Sequence, residues 1–127
     1  MKDNILYVSY DGISGNIGQS QIVPYLLLLS KHYNLTVISL EKNENLNNIT
    51  NLELLFKNFN IKWNKKQYYY KLKLINLYNI LIFNIVVIIL EWNKNFKVLH
   101  LRSFPSFFLI LSILIFKIKK KIIFDIR

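Results

Sequence analysis

Five short runs rich in strand-forming residues alternate along this chain with longer apolar segments that suit helices. The strand-like runs are residues 4–9, 35–40, 61–63, 97–101 and 122–126, and the helical candidates are residues 19–31, 52–59, 72–92 and 104–118. Parallel strands need long crossover connections, which are usually helices. The order therefore predicts an α/β fold: a Rossmann-like parallel sheet with helices on both faces.

The length of the chain and its last element limit the domain organisation. The 127 residues can form one domain and leave little room for a second. The chain closes on a strand-like run, whereas a domain normally closes with a covering element. We therefore expect residues 1–127 to be a truncated chain or a fragment of a larger protein. Residues 42–48 are polar and are expected to form a loop. Residues 65–70 are basic and aromatic, and they lack the hydrophobic periodicity of a helix or a strand.

All three glycines lie in the loop after the first strand, as Gly12, Gly15 and Gly18. Glycine lets a ligand approach the main chain closely, and the N–H groups at the start of the following helix attract anions. Pro24 is tolerable only near that helix's start, so we expect the helix to begin close to residues 18–20. The alternative is that the glycines only shape a tight turn. If the loop binds substrate, Gly18→Val should abolish function with little loss of folding.

Polar residues at three predicted strand ends would meet at one edge of the sheet. The first strand leads into Asp11 and the glycine loop, the fourth ends at Arg102, and the fifth ends at Asp125 and Arg127. Ligands of open parallel sheets bind at this carboxyl edge. The candidate catalytic residues are Asp125 and Arg127. The candidate substrate or phosphate ligands are Asp11, Gly12, Gly15, Gly18, Gln19, Ser20, Arg102 and Ser103.

Several of these residues also have ordinary structural interpretations. Asp11 can cap its own loop instead of binding a sugar hydroxyl. Arg102 and Arg127 can form an ion pair with Asp125, although a guanidinium also grips phosphate bidentately. His100 lies within a strand, where a hydrogen-bonded core histidine is the expected case.

The composition favours anionic partners and a reducing compartment. The net charge is +10, which attracts phosphates and anionic lipid headgroups, although a lysine-rich solvated face is the plainer interpretation. There are no cysteines, so disulfides and thiolate metal sites are excluded and the cytoplasm is the simplest location. The sequence contains no metal-binding pattern, and no metal or cofactor is expected.

One segment raises the question of membrane insertion. Residues 74–90 carry no charge, but 17 residues is at the lower limit for a spanning helix, which needs about 20. Three asparagines lie within the run. Peripheral contact, at the inner face of the membrane, is expected in preference to spanning.

The stretch ILYVSYDGISGNIGQSQIVPYLLLLSKHYNLTVISLEK resembles the opening of family 4 glycosyltransferases of the GT-B fold. The later VLHLRS and KIIFDIR resemble the next two strand ends of a bacterial subgroup of that family. The resemblance spans nearly the whole chain, although residues 46–95 match only in pattern.

The resemblance implies two Rossmann-like domains that face each other across a cleft. The N-terminal domain mainly holds the acceptor, and its glycine loop approaches the donor's diphosphate. The C-terminal domain binds the sugar nucleotide and carries an acidic motif; it is absent from residues 1–127. The positions that match the family's motifs are Gly15, Gly18, Gln19, Ser20, Arg102 and Ser103. Arg127 falls where many relatives have a histidine, so the usual base cannot be assigned.

The expected activity is therefore transfer of a sugar from a nucleotide-sugar donor to a glycan or lipid-linked acceptor, with this part inactive alone. One alternative is a dinucleotide-binding Rossmann module, in which Glu41 at the end of the second strand would hold a ribose. The glycine spacing departs, however, from the Gly-x-Gly-x-x-Gly of that class. Another alternative is a basic α/β interaction domain associated with the membrane. No motif for specific nucleic-acid recognition is present.

Overall fold

The computed structural model of the chain describes residues 1–42, 46–68, 73–93, 96–103 and 121–125. Five parallel strands form one sheet in the order β3-β2-β1-β4-β5. The strands are β1 (Asn4–Ser9), β2 (Asn34–Lys42), β3 (Lys62–Tyr68), β4 (Val98–Arg102) and β5 (Lys121–Asp125). The helices are α1 (Val23–Ser30), α2 (Leu46–Asn58) and α3 (Lys73–Asn93), with a π-helical turn (Gly18–Ile22) before α1. The predicted α/β fold is confirmed.

The core lies on both faces of the sheet. On one face, Ile5 and Tyr7 of β1 pack in a cluster that includes residues of α1 and α2. On the other, Leu6 and Val8 pack with Phe83 and Val87 of α3. Successive residues of a strand point to opposite faces, so a strand covered by helices on both sides is apolar throughout. This arrangement fixes the central strand and thereby the position of the loop that follows it.

Helix α2 and strand β3 extend five or six residues beyond the bounds that the sequence pattern predicted. Helix α2 begins at Leu46, six residues before the expected start, since only Ile49, Leu52 and Phe56 need to be buried and its other faces can be polar. Strand β3 continues to Tyr68 through the basic residues Lys65 and Lys66. It is an edge strand, where exposed lysines are common.

The helix after the glycine loop starts with an irregular turn. Helical structure begins at Asn16 and passes through the π-helical turn, in which the N–H of Val23 donates to the carbonyl of Gly18. Pro24 follows in the first turn of α1. Proline has no N–H and its ring crowds the carbonyl four residues earlier, and the wider π turn accommodates both effects. The helix thus starts two residues before Gly18, within a few residues of the 18–20 segment as the position of Pro24 predicted.

The predicted helix at residues 104–118 lies outside the described residues. No helix in the described part of the chain combines the length and apolarity needed to cross a membrane.

Candidate functional site

A cleft of about 730 Å³ opens at the carboxyl edge of the sheet, between the glycine loop and the end of β4. Of the residues predicted to bind substrate, five line it: Asp11, Gly12, Gly15, Gly18 and Arg102. The other lining residues are Asn16, Ile17, Gln21, Ile22 and Lys42. The rule that places ligands at this edge thus located a real concavity.

The carboxylate of Glu41 holds the first half of the glycine loop. Glu41 is almost fully buried at the end of β2. Its Oε1 accepts from the backbone N of Ile13 at 2.8 Å. Its Oε2 accepts from the N and the Oγ of Ser14, at 3.0 and 2.5 Å. A buried carboxylate is tolerated only when hydrogen bonds replace its hydration, and the loop supplies them.

Further hydrogen bonds extend this support into the sheet. The hydroxyl of Ser39 donates to Glu41 and accepts from Nε1 of Trp63 at 2.8 Å. On the other side of the loop, the carbonyl of Ser14 accepts from the side-chain amides of Gln19, at 2.8 Å, and Asn48, at 3.2 Å. The loop is therefore fixed by its own protein before any ligand binds.

Two of the three glycines are required by the local geometry. Gly12 has a φ of 72°, and a Cβ there would lie 2.8 Å from the carbonyl oxygen of Leu40. A Cβ on Gly18 would lie 2.3 Å from the carbonyl oxygen of Ile13. The expectation that Gly18→Val would leave folding nearly unchanged is wrong, because any side chain at this position collides with the loop backbone.

The start of the helix faces the cleft. The N–H of Gln19 donates to the carbonyl of Gly15 at 2.9 Å, as the first turn closes. The N–H groups of Asn16, Ile17 and Gly18 precede this bond, so they have no acceptor within the helix. All three residues line the cleft. Such N–H groups, together with the positive end of the helix dipole, favour a negatively charged ligand.

Arg102 lines the cleft together with a second cationic residue, Lys42. Arg102 is only 6% exposed. One guanidinium nitrogen donates to Oε1 of Gln21 at 3.3 Å, and the other lies 3.5 Å from a carboxylate oxygen of Asp125. The ion-pair interpretation of Arg102 and Asp125 therefore holds. Arg102 also forms a side-chain hydrogen bond with Tyr7. A guanidinium has five donors, so these three contacts still leave capacity for a ligand.

An aromatic cluster lies on the sheet behind Arg102. The Tyr25 hydroxyl and Nδ1 of His100 are 3.2 Å apart, and the His100 ring also contacts Tyr7 edge-on. Burial lowers the pKa of His100, Asp125 acts in the opposite direction, and Arg102 adds to the lowering. Burial raises the pKa of Tyr7 and of Tyr25. His100 is thus a core histidine with a hydrogen-bond partner, as its position in a strand predicted.

Other predicted ligands lie next to the cleft without lining it. Gln19 uses its side-chain nitrogen on the loop, and the Ser20 hydroxyl lies 3.3 Å from the carbonyl of Ile17. Ser103 is buried at the end of β4, with a φ of 76° and its hydroxyl donating to the carbonyl of Arg102. A positive φ is strained for serine and is often found at functional sites. Arg127 lies outside the described residues.

The sequence prediction missed Lys42 and the loop-holding role of Glu41. Lys42 lies at the carboxyl end of β2, so the rule that selected Arg102 should also have selected it. The role of Glu41 depends on contacts between residues 27 and 28 positions apart, which no local pattern reveals.

No group of three or more potential metal-ligating side chains occurs in the part of the chain that the structure describes. The chain matches no protein-family model, no curated protein and no solved structure.

Proposed function

We propose that the cleft binds the diphosphate of a nucleotide sugar, and that this chain is the N-terminal, acceptor-side domain of a family 4 glycosyltransferase of the GT-B fold. The observation that carries the proposal is that the first three residues of the helix line the same cleft as Arg102 and Lys42. The resemblance of the glycine loop and strand ends to that family adds the reaction class.

Each group has a distinct task in this proposal. The N–H groups of Asn16, Ile17 and Gly18 donate to phosphate oxygens. The Arg102 guanidinium binds the same diphosphate through paired hydrogen bonds, and Asp125 orients it. Lys42 adds charge at the cleft wall. Asp11, which is exposed, accepts hydrogen bonds from sugar hydroxyls.

The donor diphosphate is bound here and the glycan or lipid-linked acceptor reaches it from the same domain. Asp125 is the candidate to assist catalysis, because its side chain is about one third exposed beside Arg102. Arg127 is the second candidate, since it follows the same strand end. We place the protein in the cytoplasm at the inner face of the membrane, where lipid-linked acceptors are found.

The dinucleotide-binding alternative has less support. It requires the carboxylate at the end of β2 to bind a ribose. Glu41 is instead 1% exposed and engaged with Ile13, Ser14 and Ser39.

The test is calorimetric titration of the 127-residue protein with UDP, compared with uridine. We expect UDP to bind and uridine to bind far more weakly, because the diphosphate supplies the contacts. Arg102→Lys retains the charge and loses the bidentate geometry, so it should weaken UDP binding about tenfold. Lys31→Ala, on an exposed residue at the end of α1, is the control and should bind normally. Equal affinity for UDP and uridine would refute the proposal.

A further inference from the structure

The outer face of α3 carries a stripe of exposed apolar side chains. Leu77, Leu81, Ile85 and Ile89 are spaced four residues apart and are each 51–58% exposed. Tyr78 lies beside them and is 62% exposed. Residues four apart share one side of a helix, so these five side chains form one continuous surface, here called the α3 stripe.

The opposite face of α3 already packs on the sheet. Phe83 and Val87 are fully buried in the core, and Ile80 packs against the same cluster. Asn84 accepts a hydrogen bond from the Tyr10 hydroxyl. The helix is therefore apolar on both sides, which is typical of helices that are covered on both sides. The α3 stripe lacks a second layer among the described residues.

The charge around the α3 stripe is positive. Residues 74–90 contain no charged side chain, and Glu91 is the single acid of the helix. On the neighbouring edge strand, Lys66 is paired in register with Leu40, whose side chain belongs to the core beneath α3. Paired residues of adjacent strands point to the same face, so Lys66, and Lys62 four positions earlier, project on the α3 side. Both are exposed.

An exposed apolar stripe with lysines beside it favours some partners over others. A second copy of the chain would bring another net charge of +10 to the interface, and like charges oppose association. An anionic bilayer attracts the lysines and accepts the apolar side chains at its headgroup boundary. We propose that the α3 stripe docks on the surface of an anionic lipid bilayer, with α3 parallel to the membrane plane. The inference assigns the membrane contact to a definite surface and does not depend on what the cleft binds.

The experiment is co-sedimentation of the 127-residue protein with vesicles of equal parts phosphatidylglycerol and phosphatidylcholine, or of phosphatidylcholine alone. We expect binding to the anionic vesicles that weakens as salt is added. The double variant Leu81→Asn with Ile85→Asn should lose about tenfold or more in partition, because both apolar insertions are removed. The matched control is Leu54→Asn, which changes an exposed leucine on α2 and should bind as the unchanged protein does. The double variant Lys62→Gln with Lys66→Gln should reduce binding to the anionic vesicles and leave binding to the phosphatidylcholine vesicles unchanged.

Circular dichroism shows whether each variant is folded. Titration of each variant with UDP tests the cleft separately, so a failure of the proposed diphosphate site can be told from a failure of the proposed membrane surface. Equal binding by the α3 and α2 variants would overturn the inference. So would light scattering that shows a dimer of the unchanged protein and a monomer of the double variant, since the α3 stripe would then be a self-interface.

Discussion

Glu41 and Ser14 are joined by two hydrogen bonds to the same carboxylate oxygen, from the backbone N–H at 3.0 Å and from the hydroxyl at 2.5 Å. The strand end thereby fixes the loop that follows its neighbour β1. The contact also uses the N–H groups of Ser14 and Ile13 internally. The N–H groups of residues 16–18, at the start of the helix, take no part in this contact.

Replacement of the Glu41 carboxylate should destabilise the protein. Glu41→Gln keeps the shape but puts an NH₂ group where Ile13 or Ser14 donates, so at least one buried N–H loses its acceptor. We expect a loss of about 2–3 kcal/mol in the free energy of unfolding, measured by urea denaturation. Glu53→Gln is the control: it breaks the exposed contact with Lys65 and should cost less than about 1 kcal/mol. Similar losses for both variants would contradict the loop-holding role.

The glycines should differ in their tolerance of alanine. Gly18→Ala should lower the free energy of unfolding by about 1–3 kcal/mol, because its Cβ overlaps the backbone of Ile13. Gly12→Ala should also destabilise, since it adds a Cβ at a φ of 72°. Gly15 lacks a positive φ, so Gly15→Ala should be the mildest of the three. Thermal melting of the three variants measures this order, and a Gly15 variant less stable than the Gly18 variant would contradict it.

The buried histidine should make the fold sensitive to acid. The pKa of His100 is lowered from its ordinary value of 6.5 by burial. The unfolded chain then binds a proton at a higher pH than the folded chain does. Stability from this residue is therefore complete above about pH 6.5 and is lost as the pH falls towards the lowered pKa.

Urea denaturation at pH 7.5 and pH 5.5 measures this loss. His100→Gln should reduce the difference between the two pH values, whereas His32→Gln, at an exposed position after α1, should leave it unchanged. An unchanged difference in the His100 variant would show that other groups set the acid sensitivity.

The isolated chain should not transfer sugar. The proposed function assigns the acidic motif that binds the sugar nucleotide to a second domain, and one domain alone would give little positioning of donor and acceptor. Incubation of the purified 127-residue protein with nucleotide sugars and candidate acceptors should yield no product above the uncatalysed rate. Turnover that is abolished by Arg102→Lys would refute this prediction.

The sequence predicted those features that depend on local pattern. Strand β1 has the expected bounds, because a six-residue run rich in strand formers and closely followed by Asp11-Gly12 is typical of a buried parallel strand. The shared sheet edge followed from the alternation of strands and helices, which predicts a parallel sheet, and Asp11 and Arg102 do line one cleft.

Features that depend on tertiary contacts were not predictable in the same way. β3 was expected to end at residue 63, since its lysines give no apolar alternation, but pairing with β2 extends it to Tyr68. The commitment of Gln19 to the loop carbonyl and of Glu41 to the loop N–H groups arises from the folded geometry. Sequence reasoning could therefore find the edge of the site but not the residues that hold its shape.

The most direct test of the proposed diphosphate site is the change in the ¹H–¹⁵N spectrum of the protein on addition of UDP. We expect the largest shifts at the amides of Asn16, Ile17 and Gly18 and at the side chain of Arg102. A second cleft of about 480 Å³, lined by Asn34, Asn60 and Lys62 at the opposite edge of the sheet, is the internal comparison and should not respond. Shifts confined to that second cleft, or no shifts at saturating UDP, would contradict the proposed diphosphate site.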